Sequence, residues 1–280
     1  MVGRALVRHC LSRGADVSGL DHAALDITDY SSIESVLERE TPDVLFNCAA
    51  WTDVDGCERD PHHARLANSR GPELLAAACL RHNALLIAIS TDYVFDGEKD
   101  GFYIEGDPPN PISVYGFTKL EGERAAQKQW ARTIIVRSGY LFGSDGTNFL
   151  ATCVDRLRRG ERLRVINDML GTPTYANHLA ARLFDLAEKD VPGIYHVANS
   201  GDGASFAQFA YEAAKQANLD TNLLTEVSVD SLGLPARRPR DSRLRGLLSE
   251  TIGLEPLPHW HEALSEFIAT PLRQPSVAAN

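Results

Sequence analysis

The chain has 280 residues, of which 44% are apolar, enough to bury a substantial core as one large α/β unit or as two closely joined lobes. Its formal net charge is −10, which argues against non-specific binding to nucleic acid or to an anionic membrane surface. The composition therefore favours a globular protein with a small ligand, although a local basic patch could still receive a phosphorylated one.

Hydrophobic periodicity and capping signals predict strands and helices that alternate along the chain. The predicted strands are 16–20, 25–27, 43–50, 85–89, 133–137 and 193–197. The predicted helices are 2–13, 31–39 with Asp29 or Ser31 as its cap, 63–82, a helix that contains Tyr115, 206–217 and 259–268. The segment 96–113 is rich in Gly, Pro and acidic residues, which predicts a loop beside a cleft rather than a disordered linker.

This alternation indicates the α/β fold class, with a doubly wound and mostly parallel sheet covered by helices on both faces. The alternation loosens after about residue 140, where we expect a smaller C-terminal lobe that binds the substrate. The predicted Rossmann-like dinucleotide-binding domain comprises 1–139 and about 172–198. The predicted substrate-binding lobe comprises about 140–171 and 199–280.

Five cysteines are scattered along the chain without a Cys-x-x-Cys pair, at positions 10, 48, 57, 79 and 153. An odd number without paired spacing argues against a disulfide framework or a zinc knuckle, so we expect reduced and mostly buried thiols. No apolar run approaches the ~18 residues that span a bilayer, and no signal-like segment opens the sequence. The predicted compartment is the cytoplasm.

Thr91, Tyr115 and Lys119 are the candidate catalytic residues. Thr91 follows the apolar segment 85–89, and open α/β sheets place their ligands at the C-terminal ends of such strands. Tyr115 and Lys119 are four residues apart in a helical segment, so they share one helix face. A neighbouring cation lowers the pKa of a phenol from its usual ~10, which predicts an acid that can polarise and protonate a carbonyl. Tyr-x-x-x-Lys alone is common among exposed helix pairs, so the prediction depends on this context.

Three arginines are close together near the C-terminal end, at Arg237, Arg238 and Arg240. Guanidinium groups bind diphosphates through bidentate hydrogen bonds, so the cluster is a candidate diphosphate site. A solvated loop is the alternative interpretation, and the spacing alone favours it. No metal ligands are predicted, because the acidic and histidine clusters lack the spacing of calcium or zinc sites.

Several sequence blocks, in a fixed order, resemble the dTDP-4-dehydrorhamnose reductase family, a branch of the extended short-chain dehydrogenase/reductase superfamily. The blocks are Leu25-Asp-Ile-Thr28, Asn47-Cys-Ala-Ala-Trp-Thr-Asp-Val-Asp55 with Glu58, Ser90-Thr-Asp-Tyr-Val-Phe-Asp-Gly97, Pro111-Ile-Ser-Val-Tyr-Gly-Phe-Thr-Lys119, Arg137-Ser-Gly-Tyr-Leu-Phe-Gly143, Asn148-Phe149, Gly171-Thr-Pro-Thr174 and Arg238-Pro239. The resemblance covers nearly the whole chain.

The resemblance implies an NAD(P)H-dependent oxidoreductase that reduces the C4 ketone of a dTDP-linked 4-dehydro-6-deoxyhexose to dTDP-L-rhamnose, in deoxysugar and cell-surface polysaccharide biosynthesis. By that resemblance Tyr115 delivers the proton, Thr91 hydrogen-bonds the carbonyl oxygen, and Lys119 tunes Tyr115 and holds the nicotinamide ribose. The implied cofactor-binding residues are Gly3, Asp26, Ile27, Ala49, Ala50, Trp51 and Ser90, with Tyr115 and Lys119. The implied substrate-binding residues are Thr91, Asp92, Tyr93, Val94, Tyr140, Asn148 and Arg238.

Several alternatives stay open. Tyr93 follows Asp92 where related dehydratases usually have a glutamate, so reduction is favoured over dehydration, with a 4-epimerase or another sugar-nucleotide reductase as alternatives. Asp21 could bind a ribose 2′-hydroxyl and favour NADH, or be a solvated loop carboxylate. A non-catalytic dinucleotide-binding regulatory subunit, resembling that of methionine adenosyltransferase, is a different class of function. The resemblance also implies a homodimer and, in some members, a magnesium ion at the dimer contact.

The first residues depart from the family pattern, because Gly3 matches the last glycine of its Gly-x-x-Gly-x-x-Gly turn. We expect that the sequence starts late, from a misplaced start codon or as a fragment, and that roughly a dozen residues of a βα turn precede it. The strand in that stretch would lie at the centre of the sheet, between 16–20 and 43–50.

Overall fold

The computed structural model describes residues 1–270, in which helices cover a central parallel sheet. The helices are α1 Val2–Ser12, α2 Tyr30–Glu40, α3 Val54–Arg59, α4 Pro61–Arg65, α5 Gly71–His82, α6 Val114–Gln129, α7 Phe149–Arg158, α8 Ala176–Lys189, α9 Phe206–Gln216, α10 Leu248–Thr251 and α11 Trp260–Ala269. A π-helical turn, Leu66–Arg70, joins α4 to α5. The end of the predicted substrate lobe, 271–280, lies outside the described residues.

The strands form one four-stranded sheet and several two-stranded pairs. They are β1 Val44–Asn47, β2 Leu85–Thr91, β3 Thr133–Ser138, β4 Leu141–Phe142, β5 Leu163–Ile166, β6 Leu170–Gly171, β7 Thr174–Tyr175, β8 Gly193–His196, β9 Asn199–Ser200, β10 Ala204–Ser205, β11 Leu224–Val227 and β12 Leu257–His259. The central sheet has the order β1-β2-β3-β8, and all its pairings are parallel. The smaller pairs are β4 with β7, β5 with β11, β6 with β10 and β9 with β12.

Both faces of the central sheet are covered, which explains why β2 is apolar along most of its length. Successive side chains of a strand point to opposite faces. Leu85 and Ile87 pack against α1 and α8 on one face, whereas Leu86 packs against α2 and α5 on the other. The predicted Rossmann-like α/β fold, with a mostly parallel sheet between helices, is confirmed.

Two predicted strands are wrong. Residues 16–20 and 25–27 form turns and irregular backbone. A strand needs a neighbour to satisfy its backbone donors and acceptors, and within residues 1–270 β1 is an edge strand that pairs with β2 alone. Local turns take over instead, since the Asp21 carboxylate accepts hydrogen bonds from the Ala23 and Ala24 amides at 3.1 Å each.

The predicted helices are present, with shifted ends and one interruption. Asp29 rather than Ser31 caps α2, because its Oδ1 accepts the Ser31 amide at 2.9 Å. The helix predicted over 63–82 begins at Pro61 and is divided by the π-helical turn. Within residues 1–270, no helix combines the length and the apolarity that crossing a bilayer requires.

The C-terminal half has its own packing and then returns to the central sheet. Helices α7, α9 and α11 bury aromatic side chains, among them Phe142, Phe209 and Phe267. The return segment, defined here as 236–245, then runs beside the predicted cleft-side loop, where Tyr103 and Leu244 form a β-bridge. Its Ser242 reaches the C-terminal end of β2. The two halves therefore meet where the candidate catalytic residues lie.

Candidate active site

Thr91 is the last residue of β2, and its hydroxyl is fixed by two local hydrogen bonds. Its Oγ1 accepts the Tyr93 amide at 3.2 Å and donates to Asp92 Oδ1 at 3.1 Å. The first of these bonds caps a short 3₁₀ turn, Asp92–Val94, that ends the strand. The buried Thr91 hydroxyl thus lies at the C-terminal edge of the sheet, as predicted.

Tyr115 is brought beside Thr91 by the first turn of α6. Ser113 caps this helix by accepting the Gly116 amide at 3.2 Å, and the carboxylate of Glu58 accepts the Val114 amide at 2.8 Å. Gly116 allows the helix to approach the 3₁₀ turn closely, because a Cβ at this position would be 2.1 Å from the Tyr93 carbonyl oxygen. A side chain on residue 116 would therefore separate the two elements that carry the hydroxyls.

The phenol of Tyr115 is buried between Thr91 and Tyr93. The Tyr93 ring contacts the Tyr115 ring edge to face, with centroids 5.8 Å apart. Burial raises the pKa of Tyr115 well above its usual value, and a hydrogen bond with Thr91 opposes this only in part. The predicted net lowering of the Tyr115 pKa is wrong for the structure, because loss of hydration outweighs the favourable contacts.

Lys119 lies one turn further along α6 and is also buried. Its ammonium donates to the backbone oxygen of Ile89 at 2.8 Å rather than to the phenol. Burial lowers the pKa of Lys119 to about 8, while the Glu123 carboxylate acts in the opposite direction. Lys119 is therefore a desolvated ammonium that loses its proton in the pH range where many enzymes operate.

Asp92 connects this site to the C-terminal half. Its Oδ2 accepts a hydrogen bond from Ser242, and its carboxylate also packs against Gly139, where an added Cβ would be 2.5 Å from Asp92 Cγ. Burial raises the pKa of Asp92 to about 6 despite the hydrogen bonds from Ser242 and Thr91. Asp92 is thus a buried acceptor at the junction of three segments, which fits a structural role beside the site.

The predicted cofactor residues occupy three places. Gly3 lies in the first turn of α1, where an added Cβ would be 3.6 Å from the Cβ of Cys48. Ala49, Ala50 and Trp51 form the loop after β1. The Asn68 side chain holds the backbone of Trp51, because Asn68 Oδ1 accepts the Trp51 amide at 2.9 Å and Asn68 Nδ2 donates to the Trp51 carbonyl at 3.0 Å. This loop, the start of α1 and Lys119 together surround the C-terminal edge of the sheet.

Other predicted cofactor residues have contacts that serve the fold. The carboxylate of Asp26 accepts the Thr28 amide and hydroxyl at 2.8 Å each, and these bonds lower its pKa. Ile27 packs against Gly71 at the start of α5. The Ser90 hydroxyl donates to Glu123, so its proton is already engaged within the protein. Their roles toward a cofactor stay predictions.

Three predicted substrate residues are held by contacts within the chain. Val94 is fully buried in a core cluster with Phe95 and Tyr103, and its contact with the substrate stays a prediction. Asn148 caps α7 by accepting the Ala151 amide at 3.0 Å. The Tyr140 hydroxyl donates to the Met169 carbonyl at 3.1 Å.

Arg238, the predicted diphosphate ligand, pairs with Asp55 in the structure. Two hydrogen bonds of 3.1 and 2.8 Å join its guanidinium to both oxygens of the carboxylate, and they lower the pKa of Asp55. Arg240 pairs with two carboxylates, through Nη1 with Asp168 and through Nη2 with Asp230. Internal carboxylates thus neutralise two of the three clustered arginines. Within residues 1–270 no group of three or more metal-ligating side chains occurs, so the implied magnesium ion gains no support.

One buried ion pair beneath the site was not predicted. Arg137 on β3 donates three hydrogen bonds to Glu123 on α6, from Nε to Oε1 at 3.0 Å and to Oε2 at 3.2 Å and from Nη2 to Oε2 at 2.6 Å, and both side chains are almost fully buried. The signal available in the sequence was the continuation of the Tyr115 and Lys119 spacing to Glu123, which places all three on one face of α6.

Comparisons with known proteins agree along nearly the whole chain. A family model described as the RmlD substrate binding domain matches residues 1–272. The dTDP-4-dehydrorhamnose reductase of Streptomyces griseus is 39% identical over 272 residues, which cover 95% of this chain and 89% of that protein. The crystal structure of dTDP-4-dehydrorhamnose reductase from Bacillus anthracis in complex with NADP has a TM-score of 0.92 at 32% identity, covering 95% of this chain and 94% of that chain. The corresponding reductase from Clostridium acetobutylicum has a TM-score of 0.91 at 34% identity, covering 95% and 94%.

Proposed function

The chain belongs to the dTDP-4-dehydrorhamnose reductase family, and from this we propose that it reduces the C4 ketone of dTDP-4-dehydrorhamnose to dTDP-L-rhamnose with NADPH, in deoxysugar biosynthesis. The observation that supports this most directly is that two buried residues with hydroxyl groups come together at the C-terminal edge of the sheet, Thr91 as the last residue of β2 and Tyr115 in the first turn of α6. A carbonyl oxygen beside both hydroxyls would find one proton donor and one orienting partner.

Each catalytic residue has a distinct role in this proposal. NADPH, when bound, supplies the hydride. Tyr115 gives its phenolic proton to the C4 oxygen, and Thr91 orients that oxygen. The pKa of Tyr115 is raised by burial, so the phenol holds its proton until charge develops on the substrate oxygen. Lys119 then stabilises the phenolate, because a buried ammonium interacts strongly with a charge formed near it.

The donors in the site fit a dinucleotide. Within residues 1–270 the Lys119 ammonium donates to Ile89 alone, and an ammonium carries three protons, so two donors are available for ribose hydroxyls. The buried Asn47 Nδ2 at the end of β1 also finds no acceptor in that part of the chain. We propose that Lys119 holds the nicotinamide ribose and that Ala49, Ala50 and Trp51 line the cofactor groove.

Two further observations refine the proposal. The related reductase from Bacillus anthracis is in complex with NADP, so we propose NADPH rather than NADH as the cofactor. Tyr93 has a raised pKa because it is buried, and it offers no carboxylate for removing a proton next to the ketone. This supports simple reduction over dehydration. All five cysteines are free thiols, which supports our proposal of a cytoplasmic enzyme.

The test is an assay of the purified chain with dTDP-4-dehydrorhamnose. NADPH binding is measured first, by quenching of cofactor fluorescence, and turnover is then followed by loss of NADPH absorbance with identification of the sugar product. We expect saturable NADPH binding and one dTDP-L-rhamnose formed per NADPH oxidised. Binding of NADPH without reduction of any 4-ketosugar would contradict the proposal and favour a regulatory subunit. The mass of the native complex, measured in parallel, tests the implied homodimer.

A further inference from the structure

The buried ion pair between Glu123 and Arg137 lies directly beneath the proposed catalytic residues. Tyr115, Lys119 and Glu123 are spaced by four along α6, so they occupy one face of that helix. Arg137 comes from β3 and is directly opposite Ser90 of β2 in the parallel ladder. The pair therefore joins the catalytic helix to the two strands whose ends form the site.

Glu123 also bonds to the strand segment that carries the other groups. The Ser90 hydroxyl donates to Glu123 Oε1, and Ser90 lies between Ile89, whose carbonyl accepts the Lys119 ammonium, and Thr91. The Glu123 carboxylate thus holds Ser90 in place. The residues on either side of Ser90 are Ile89, which accepts the Lys119 ammonium, and Thr91, whose hydroxyl lies beside Tyr115. Burial of a charge is tolerated here because Arg137 and Ser90 satisfy the carboxylate.

Lys119 and Glu123 face the same small space. Both line a cavity of about 10 Å³, which Ser90 and Ile89 also line, and this volume is close to that of one water-sized sphere. Glu123 is the largest influence that favours the charged form of Lys119, against the effect of burial. The other titratable or charged groups near these two side chains are Cys48 after β1, which acts on Lys119, and Arg137 on β3, which pairs with Glu123.

We propose that Glu123 is a positioning residue for the reduction: its carboxylate fixes the Ile89–Thr91 segment against α6, and its charge keeps the Lys119 ammonium protonated. This inference deepens the proposed function and rests on it, because a protonated Lys119 matters for turnover only if Tyr115 forms a phenolate. The effect on Lys119 itself does not depend on the substrate.

The decisive experiment is a pH titration of Lys119 by NMR, in protein labelled at lysine Cε with ¹³C. The chain has five lysines, so five signals are expected, and Lys119→Met identifies the relevant one. In the wild type we expect this signal to titrate near pH 8, as burial of Lys119 requires. In Glu123→Gln the midpoint should fall by about one pH unit, because a nearby carboxylate is removed while Arg137 stays positive.

Matched variants separate the charge of Glu123 from its packing. Glu123→Asp keeps the charge, and Ser90→Ala removes one hydrogen bond without changing any charge. Both should leave the Lys119 midpoint within a few tenths of a pH unit of the wild type. A shift of less than half a pH unit in folded Glu123→Gln, or an equal shift in all three variants, would overturn the proposal.

Activity provides a second measurement. The alkaline limb of the pH profile of kcat should move to lower pH in Glu123→Gln by the same amount as the Lys119 signal, with a roughly threefold loss of kcat near pH 7.5 that grows at higher pH.

The two proposals can fail separately. If the lysine signal shifts while no 4-ketosugar is reduced by the wild type, the proposed function fails and the effect of Glu123 on Lys119 stands. If Glu123→Gln does not fold, Glu123→Gln with Arg137→Met leaves neither charge unpaired, and it is compared with Arg137→Met so that the two proteins differ only in the carboxylate. A midpoint at least half a unit below that of Arg137→Met supports the proposal there, and an equal midpoint overturns it.

Discussion

The guanidinium of Arg238 and the carboxylate of Asp55 form a two-pronged ion pair across 183 residues of sequence. Asp55 lies in the short helix α3 after β1, and Arg238 lies in the return segment 236–245. Asp55 Oδ1 also accepts the Ala236 amide at 3.0 Å, so backbone and side chain of the segment are both attached. The pair therefore fixes the C-terminal half beside the proposed active site, and binding of a diphosphate by Arg238 stays a prediction.

Replacing Asp55 by Asn should weaken this attachment. Both side chains are mostly buried, and hydrogen bonds to charged groups of this kind contribute about 1.5–3 kcal/mol, so we expect a loss of that order in the free energy of unfolding. Urea denaturation of Asp55→Asn, Arg238→Met and the double variant measures the coupling between the two residues. A coupling free energy near zero, with a higher KM for the sugar nucleotide in Arg238→Met alone, would instead make Arg238 a substrate ligand.

Replacing Tyr115 by Phe tests the proposed proton donor. The phenyl ring keeps the contact with Tyr93 but has no proton to give, so kcat should fall at least ~10²-fold while NADPH binding is retained. Tyr195→Phe is a suitable control, because Tyr195 is also buried and its hydroxyl donates to the Val191 carbonyl away from the site. Turnover of Tyr115→Phe within a few-fold of the wild type would remove Tyr115 from the mechanism.

Thr91 should be sensitive to loss of its hydroxyl and tolerant of loss of its methyl group. Thr91→Val removes the group that orients the substrate oxygen and also the cap on the Tyr93 amide, so we expect kcat to fall by ~10–10³-fold. Thr91→Ser keeps the hydroxyl and should recover most of the activity. Steady-state kinetics of the two variants provide the comparison, and equal losses in both would mean that packing, not the hydroxyl, matters at this position.

Local patterns in the sequence predicted the parts of the fold whose contacts are regular. The apolar segments that became β2 and β3 are buried on both faces, and the spacing of Tyr115 and Lys119 follows from the geometry of one helix. The strand expected over 16–20 failed for the opposite reason. Its pairing depends on a neighbour, and local side-chain hydrogen bonds such as those of Asp21 decide the conformation when no ladder forms.

Contacts between distant residues could not be predicted in the same way. Arg238 was expected to bind a diphosphate because three nearby arginines suggest an anion site, yet its partner Asp55 is far away in sequence. The direction of the Tyr115 pKa was also wrong, since burial depends on packing by Thr91, Tyr93 and α6 together. Helix spacing identifies which side chains share a face, and tertiary packing determines which of them form ion pairs or hydrogen bonds.

The carboxyl group of Asp92 should make stability depend on pH. Its pKa is raised from 3.8 to about 6 in the folded protein, so the folded state holds a proton that the unfolded chain releases between about pH 4 and 6. The contribution of Asp92 to stability therefore falls as pH rises through this window, by about 3 kcal/mol, and is constant above it. In Asp92→Asn this dependence is absent.

The difference between Asp92→Asn and the wild type isolates this effect from other titrating groups. We expect the free energy of unfolding of the variant, relative to the wild type, to rise by up to about 3 kcal/mol between pH 4 and pH 7. Urea denaturation at several pH values measures it, with Asp100→Asn on the cleft-side loop as an exposed control. A difference that is constant over this pH range would show that Asp92 does not titrate there.

Two glycines of α6, Gly116 and Gly122, leave equally little room for a side chain but lie against different parts of the proposed site. An added Cβ would be 2.1 Å from the Tyr93 carbonyl oxygen at Gly116 and 2.1 Å from the Asn68 carbonyl oxygen at Gly122, so alanine at either site should cost about 1–3 kcal/mol of stability. Gly116→Ala moves α6 away from the turn that follows Thr91, and a displacement of about 1 Å at reacting groups lowers kcat by up to ~10²-fold. Gly122→Ala disturbs Asn68, which holds Trp51, so KM for NADPH should rise instead.

Gly106→Ala is the control for both substitutions, because an added Cβ there meets no atom of residues 1–270 within 4 Å. Denaturation curves establish whether the two α6 variants lose similar stability, and steady-state kinetics then separate kcat from KM. The overlap distances are equal, so the two alanine variants should lose similar stability. A difference in their kinetics would then arise from the different residues that Gly116 and Gly122 contact. The same fall in kcat in both variants would mean that α6 shifts as a rigid rod, and the contact between Gly116 and Tyr93 would then have no special part in positioning Tyr115.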